Sequence, residues 1–174
     1  LGPGESVGVI GVGTLGSIGV LLARLFAARP VVAYGIRAEE LAFAERLGAD
    51  HVVDVENIDA EEETLRLTGG GLDVVVETAG AVPAVELATR IVRPGGRVIL
   101  LGISGEGKEL QLPADWIVLR DIELIGSVSY TSAVWGRMMR LVEGADLRRI
   151  IEAEGSRFVR PKAIASLASF SATT

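Results

Sequence analysis

Three glycines with a characteristic spacing are the residues of this chain that most clearly indicate a ligand site. They lie in Gly11-Val12-Gly13-Thr14-Leu15-Gly16, between a β-branched run and a helical pattern. In such a strand–turn–helix, the first glycine permits the tight turn, the second lets a ligand approach the backbone, and the third lets the helix pack on the strand. The N–H groups of Thr14, Leu15 and Gly16 then face an anion at the positive end of the helix dipole. The spacing predicts a site for the pyrophosphate of a dinucleotide; a glycine-rich turn without a ligand is the alternative.

The end of the second predicted strand bears on which dinucleotide binds. NAD-binding domains usually carry Asp or Glu there, where it bonds the adenosine ribose, whereas this chain has Gly35-Ile36-Arg37. A carboxylate would repel a 2′-phosphate, and a guanidinium forms a bidentate pair with one. The segment therefore favours NADP over NAD. NAD stays open, because Glu39 and Glu40 lie close by and Arg37 is also compatible with a solvated helix start.

Three further strand ends are expected to line the same crevice, since ligands of open α/β sheets lie at the carboxyl ends of the strands. Each is rich in small residues, which would let a cofactor lie against the backbone, although each is also compatible with an ordinary loop. These strand ends are Thr78-Ala79-Gly80, Gly102-Ile103-Ser104 and Gly126-Ser127-Val128.

The composition of the 174 residues narrows the remaining possibilities. The net charge is −6 and no large basic cluster is present, so a nucleic-acid-binding surface is not expected. With no cysteine and one histidine, His51, disulfides, cysteine nucleophiles and Cys/His metal clusters are excluded. The most apolar stretch, residues 7–26, is interrupted by glycines and Arg24, which indicates a strand and a helix rather than a membrane span. We expect a cytoplasmic protein with neither nucleic-acid nor membrane partners.

Short β-branched runs alternate with helical patterns along most of the chain. This order predicts an α/β fold with a parallel sheet covered on both faces. Right-handed crossovers leave few topologies, and we expect the doubly wound, six-stranded Rossmann fold with strand order 3-2-1-4-5-6. The predicted strands are 7–10, 31–34, 51–53, 73–76, 97–101 and 122–125, and helical patterns cover about 15–28, 41–47, 60–67, 85–92 and 134–142.

The periodic pattern degrades from about Gly155 onward. We therefore predict one NAD(P)-binding domain at 1–154 and an irregular or partly disordered tail at 155–174, which ends in small polar residues.

Several longer segments resemble the cofactor-binding half of the medium-chain dehydrogenase/reductase family, of the zinc alcohol dehydrogenase type. Order and spacing agree over about residues 4–147, and the combination is far more specific than the glycine motif alone. The similar segments are Gly4-Glu5-Ser6, GVGTLG at 11–16, AERLGADHVVDV at 44–55, LTGGGLDVVVETAG at 67–80, RPGGRVILLGISGEG at 93–107 and DIELIGS at 121–127.

The resemblance implies hydride transfer between NAD(P) and an alcohol or carbonyl. Glycine at 35 with arginine at 37 resembles the NADP-using subgroup, and the edge strand at 122–128 is expected to pair two chains into a homodimer. In this family, catalysis and the catalytic zinc belong to a separate barrel-like domain that is not recognisable here. We expect no catalytic residue and no zinc bound by this chain, and no turnover from it alone.

Two other functions remain open at this stage. A non-catalytic nucleotide-sensing or regulatory Rossmann module would also lack catalytic residues. A methyl-donor-binding Rossmann protein is less favoured, because those proteins typically have an acidic residue where Gly35 stands.

Overall fold

The structure, a computed structural model, describes residues 1–129 and 132–144. The chain divides into two compact units, Leu1–Val128 and Ser129–Thr174. The tail predicted at 155–174 lies outside the described residues. In the second unit, the described element is the helix Ser132–Gly144, where the sequence predicts one.

The first unit contains a six-stranded sheet. Its strands are β1 (Val7–Ile10), β2 (Val31–Gly35), β3 (His51–Asp54), β4 (Leu72–Glu77), β5 (Val92–Leu100) and β6 (Glu123–Gly126). Its helices are α1 (Thr14–Leu25), α2 (Ala38–Arg46), α3 (Ala60–Thr68), α4 (Val82–Ile91) and α5 (Ala114–Leu119). All pairings are parallel, in the order β3-β2-β1-β4-β5-β6. The predicted doubly wound topology is confirmed.

The central strands are buried on both faces, which explains their near-continuous valine content. On one face, Val32, Val75 and Val98 pack in a cluster with Ala88 and Ile91 of α4. On the other, α1 and α2 contact each other and the strands β1 to β3. Helices therefore cover both faces, and the carboxyl ends of all six strands meet at one edge of the sheet.

Helix α1 ends earlier than predicted, at Leu25 instead of about Ala28. Ala27 adopts a left-handed φ of 58°. The N–H of Ala28 donates to the carbonyl of Ala23 at 3.0 Å, which is the six-to-one bond of a Schellman ending. The helix is thus closed by its own backbone, before Pro30 could stop it.

Strand β5 begins earlier than predicted, at Val92 instead of Arg97. Leu72 of β4 pairs with Val92, whereas Val74 pairs with Arg97. The Pro94-Gly95-Gly96 segment therefore bulges out of a strand that has already begun.

Helix α5 has no counterpart among the predicted helices. Its six residues are too few to show an apolar period. Trp116 fixes it to α4, because the indole Nε1 donates to the Thr89 carbonyl at 3.1 Å.

Candidate nucleotide-binding cleft

A cleft of about 840 Å³ opens at the carboxyl edge of the sheet. The ends of β1, β2, β3 and β4 line it, together with α4. Of the residues predicted to contact a cofactor, the structure places Gly11, Gly13, Gly35, Ile36, Arg37, Thr78 and Ala79 in its wall.

Two glycines of the first turn are required by the packing of the protein itself. Gly11 has a φ of +86°, and a Cβ on it would lie 2.7 Å from the backbone nitrogen of Ala79. A Cβ on Gly16 would lie 2.1 Å from the carbonyl oxygen of Gly11. Neither position accepts a side chain, so the turn and the close approach of α1 explain both glycines without a ligand.

Gly13 differs from its two neighbours in the motif. A Cβ built on it meets no heavy atom within 4 Å, and its φ of −69° suits any residue. Nothing within the chain therefore requires a glycine here. The residue faces the cleft, where a bare backbone would let a ligand approach to van der Waals distance.

The N-terminus of α1 is open toward the same space. Its N-cap is Gly13, no side chain caps the helix, and its first turn contains no acidic residue. The first N–H groups, on Thr14, Leu15 and Gly16, therefore lack a side-chain acceptor. These three residues are not in the cleft wall, although their backbone begins the helix directly beside it. Free N–H groups with the helix dipole behind them form an anion site.

At the end of β2, Gly35 and Arg37 form one side of the cleft. A Cβ on Gly35 would lie 3.1 Å from Val12 Cγ2 and 3.2 Å from Leu41 Cδ2. Arg37 forms an ion pair with Glu40, three residues later. The guanidinium thus lies where the sequence predicts a phosphate ligand, and a carboxylate of the same chain already engages it.

Thr78, at the end of β4, has a structural role besides its place in the cleft. Its hydroxyl donates to the carbonyl oxygens of Gly11, at 2.5 Å, and Ile10, at 3.1 Å. The side chain therefore ties the glycine turn to the neighbouring strand.

Besides Thr14, Leu15 and Gly16, four further predicted site residues lie outside the cleft wall: Gly102, Ile103, Ser104 and Ser127. Gly102 lies against the turn that follows β4 (residues 78–80, the β4 turn), because a Cβ on it would come 2.2 Å from the nitrogen of Gly80. Ile103 is exposed on the same loop, and Ser127 follows β6, where its N–H donates to the carbonyl of Leu100. Their contact with a cofactor remains a prediction.

Part of the cleft wall was not predicted from the sequence. A charged set comes from α2, α3 and α4, and an apolar set comes from β2, the segment between β3 and α3, and α4. The charged residues are Glu40, Asp59, Glu61 and Arg90, and the apolar ones include Tyr34, Val55, Ile58, Pro83 and Leu87. Arg90 forms an ion pair with Glu61, which joins two helices that pack against each other. Only the three-dimensional packing of α3 on α4 brings Glu61 and Arg90 together.

Tyr34 contributes an apolar ring with a fixed hydroxyl. Thr64 donates to the carbonyl of Ala60, so the Tyr34 hydroxyl donates to Thr64, at 2.6 Å. Burial raises the pKa of Tyr34 to about 12. The phenol therefore stays neutral at physiological pH, and the residue forms part of the cleft wall.

Glu77 is a fully buried carboxyl beneath the β4 turn. One oxygen accepts the N–H of Gly80 at 2.8 Å, and the other has no hydrogen-bond partner. A Cβ on Gly102 would lie 2.6 Å from that second oxygen. The side chain therefore holds the positive-φ turn at Gly80 against the loop that follows β5.

Within residues 1–129 and 132–144, no three His, Asp or Glu side chains are grouped so as to hold a metal ion. In the same part of the chain, every helix is too short or too polar to cross a lipid bilayer.

Comparison with known proteins connects this geometry to a family. The family model of the zinc-binding dehydrogenases matches residues 14–144. A sorbitol dehydrogenase of Bacillus subtilis (strain 168) is 30% identical over 133 residues, which are 76% of this chain and 37% of that protein.

Solved structures agree with the sequence comparison. Alcohol dehydrogenase TADH from Thermus sp. ATN1 has a TM-score of 0.78 at 26% identity, over 83% of this chain and 41% of that one. The alcohol dehydrogenase of the archaeon Aeropyrum pernix has a TM-score of 0.74 at 33% identity, over 82% and 40%. A zinc-binding dehydrogenase of Sinorhizobium meliloti 1021, solved bound to NADP, has a TM-score of 0.67 at 32% identity, over 72% and 38%.

The predicted resemblance is therefore confirmed, and the chain spans about two fifths of the length of the relatives it matches. The family match covers most of the sequence, and the fold agrees strand by strand with the arrangement that the resemblance implies. The chain belongs to the zinc-binding dehydrogenase family, of the medium-chain dehydrogenase type, through a Rossmann domain.

Proposed function

We propose that this chain is the dinucleotide-binding domain of an NAD(P)-dependent, alcohol dehydrogenase-like oxidoreductase. The observation that carries the proposal is Gly13. Among the three motif glycines, it is the one whose missing side chain serves no internal packing, and it faces the cleft beside the open end of α1. A ligand with a diphosphate explains both features.

The residues present fit such a ligand. The N–H groups at the start of α1 would hold the pyrophosphate, and the apolar wall at Val55, Ile58 and Leu87 would take a flat purine. The Arg37 guanidinium would receive a 2′-phosphate, which makes NADP the favoured cofactor and NAD the alternative. The NADP-bound relative from Sinorhizobium meliloti supports this choice.

When bound, the nicotinamide supplies hydride transfer to or from an alcohol or carbonyl carbon. The chain's own contribution is to bind and orient. The start of α1 would hold the cofactor at the carboxyl edge of the sheet. Glu77 holds the turn at Gly80 in place, and this turn lies at the same edge, against Gly102. In the proposed parent enzyme, the substrate and any catalytic zinc would be held by residues other than those of this domain.

Titration calorimetry of the 174-residue chain with NADPH and NADH tests the proposal. The wild type is expected to bind at least one dinucleotide, and Gly13→Ala to lose affinity by about tenfold or more, because a methyl group would stand where the phosphate approaches. Gly70→Ala is the matched control, since a Cβ there also meets no atom within 4 Å, outside the cleft. No binding of either dinucleotide at millimolar concentration would overturn the proposal.

The preference for NADP has a separate test. Arg37→Ala is expected to reduce the affinity for NADPH relative to that for NADH, and Gly35→Asp to do the same. Arg37→Ala is the cleaner variant, because a side chain at Gly35 would press on Val12 and Leu41. If the ratio of the two affinities stays unchanged in Arg37→Ala, Arg37 is not a phosphate ligand.

We also propose a homodimer formed through the edge strand at 122–128. β6 is the last strand of the sheet, and Leu124 and Ile125 are about two fifths exposed. A bare apolar edge strand is a template for pairing with a second chain. Light scattering is expected to give the mass of a dimer for the wild type and of a monomer for Ile125→Lys.

A further inference from the structure

We propose that Glu40 is a specificity-determining residue of the cleft: it engages Arg37 and thereby lowers the preference for NADP over NAD. This inference rests on the proposed function, because it concerns the adenosine end of the same dinucleotide site. It assigns to Glu40 a role opposed to that of Arg37.

The geometry places the two side chains in one wall of the cleft. Arg37 is the N-cap of α2 with an extended backbone, and Glu40 lies in the first turn, where its N–H donates to the Arg37 carbonyl. The guanidinium Nη2 pairs with Glu40 Oε1. The Arg37 side chain is 50% exposed and that of Glu40 only 19%, so the carboxylate forms the inner part of the pair and the guanidinium reaches outward.

The chemistry of the two cofactors makes this pair selective. A 2′-phosphate carries nearly two negative charges, and to bind Arg37 it must compete with Glu40 for guanidinium N–H groups and lie close to a like charge. A free 2′-hydroxyl is neutral and donates a hydrogen bond that a carboxylate accepts. Arg37 thus favours the phosphate and Glu40 the hydroxyl, and the pair together admits both cofactors.

Among the carboxylates of the cleft wall, Glu40 is the one that pairs with Arg37, and the others have different partners. The Asp59 carboxylate accepts the N–H groups of Glu61 and Glu62, and Glu61 is paired with Arg90. Those groups lie on α3 and α4, whereas Arg37 and Glu40 share the start of α2.

Calorimetric titration of the full chain with NADPH and with NADH tests the inference. Glu40→Gln is expected to raise the ratio of NADPH to NADH affinity by about fivefold, the upper end of what an exposed charge pair contributes. Glu39→Gln is the matched control, because it removes a neighbouring charge from the same helix turn outside the cleft wall, and it is expected to change the ratio less than about twofold. In an Arg37→Gln background, Glu40→Gln is expected to change the ratio by less than it does in the wild type, as coupling between the two residues requires.

Adenosine 2′,5′-bisphosphate and AMP, used as probes in the same titrations, confine the measurement to the adenosine end, and Glu40→Ala serves as a second variant. An unchanged ratio in both Glu40 variants, or a shift toward NADH, would overturn this inference while the proposed function stands on the binding of the wild type. If the wild type binds neither dinucleotide, both proposals fail together.

Discussion

The two edges of the sheet differ in whether they leave backbone N–H groups without a side-chain partner. At the amino edge, charged side chains are paired with one another and with the strand backbone: Asp73 with Ser6 and Arg93, Arg97 with Glu5, and Asp50 with the Val31 N–H. At the carboxyl edge, α1 begins without a cap and Gly13 faces empty space. One edge satisfies its polar groups internally and stabilises the fold, whereas the other leaves donors for a ligand.

The same contrast recurs within the cleft, between the starts of α1 and α3. Asp59 caps α3 by accepting from the N–H groups of Glu61 and Glu62, each at 3.0 Å, and three glutamates follow in its first turn. α1 has neither feature. Both helix ends adjoin the cleft, yet of these two the start of α1 is the one without a side-chain cap or an acidic first turn.

The largest effect is expected at Gly16. A Cβ there would lie 2.1 Å from the Gly11 carbonyl oxygen, a backbone atom that cannot rotate away, so Gly16→Ala is expected to destabilise the fold by about 3 kcal/mol or more. Denaturant unfolding measures this loss. Gly19→Ala on the same helix is the control, because its Cβ would make an ordinary 3.7 Å contact with Val9; equal stability of the two variants would contradict the packing argument.

At the amino edge, Asp73→Ala is expected to destabilise the protein by about 2 kcal/mol at neutral pH, through loss of its hydrogen bonds to Ser6 and Arg93. Although burial raises the pKa of Asp73, hydrogen bonds from Ser6 and the Arg93 guanidinium lower it below its usual value. A depressed carboxyl pKa contributes stability above the unfolded pKa, about 3.9, and loses it as the pH falls through the folded pKa.

Chemical denaturation at a series of pH values checks this prediction. The difference between wild type and Asp73→Ala should be constant from pH 7 to about pH 5 and shrink below about pH 4. A difference that does not change with pH would mean that the carboxylate charge is irrelevant at this edge.

Gly13→Asp gives α1 the kind of aspartate N-cap that Asp59 gives α3, and so tests whether the cap distinguishes the two helix ends. An aspartate at the N-cap accepts helix N–H groups and is expected to stabilise the free protein by a few tenths of a kcal/mol. It should lower NAD(P)H affinity by about tenfold or more, because its carboxylate occupies the site of the phosphates. Thermal unfolding with and without cofactor separates the two effects; undiminished binding would show that the start of α1 is not the phosphate site.

The sequence was informative where a local pattern maps onto one element. Buried β-branched strands and a glycine motif between a strand and a helix predict the topology and one wall of the cleft. The sequence did not predict contacts between side chains of two different elements. The Arg90–Glu61 pair joins residues far apart in the chain through the packing of α3 on α4, and no periodicity connects them. Arg37 and Glu40 are visible in the sequence, but only the structure shows that they form a pair.

A loss of stability smaller than that of Gly16→Ala or Asp73→Ala is expected at the capped start of α3. Asp59→Ala removes the cap of α3 and is expected to destabilise the protein by about 1 kcal/mol, measured by denaturant unfolding. It should not turn α3 into a second anion site, because Glu61, Glu62 and Glu63 still repel phosphate from the first turn. Titration of Asp59→Ala with inorganic phosphate checks this point, with Asp59→Asn as the control that keeps a capping oxygen. Phosphate binding gained by the alanine variant alone would show that the cap, and not the charge of the turn, separates the two helix ends.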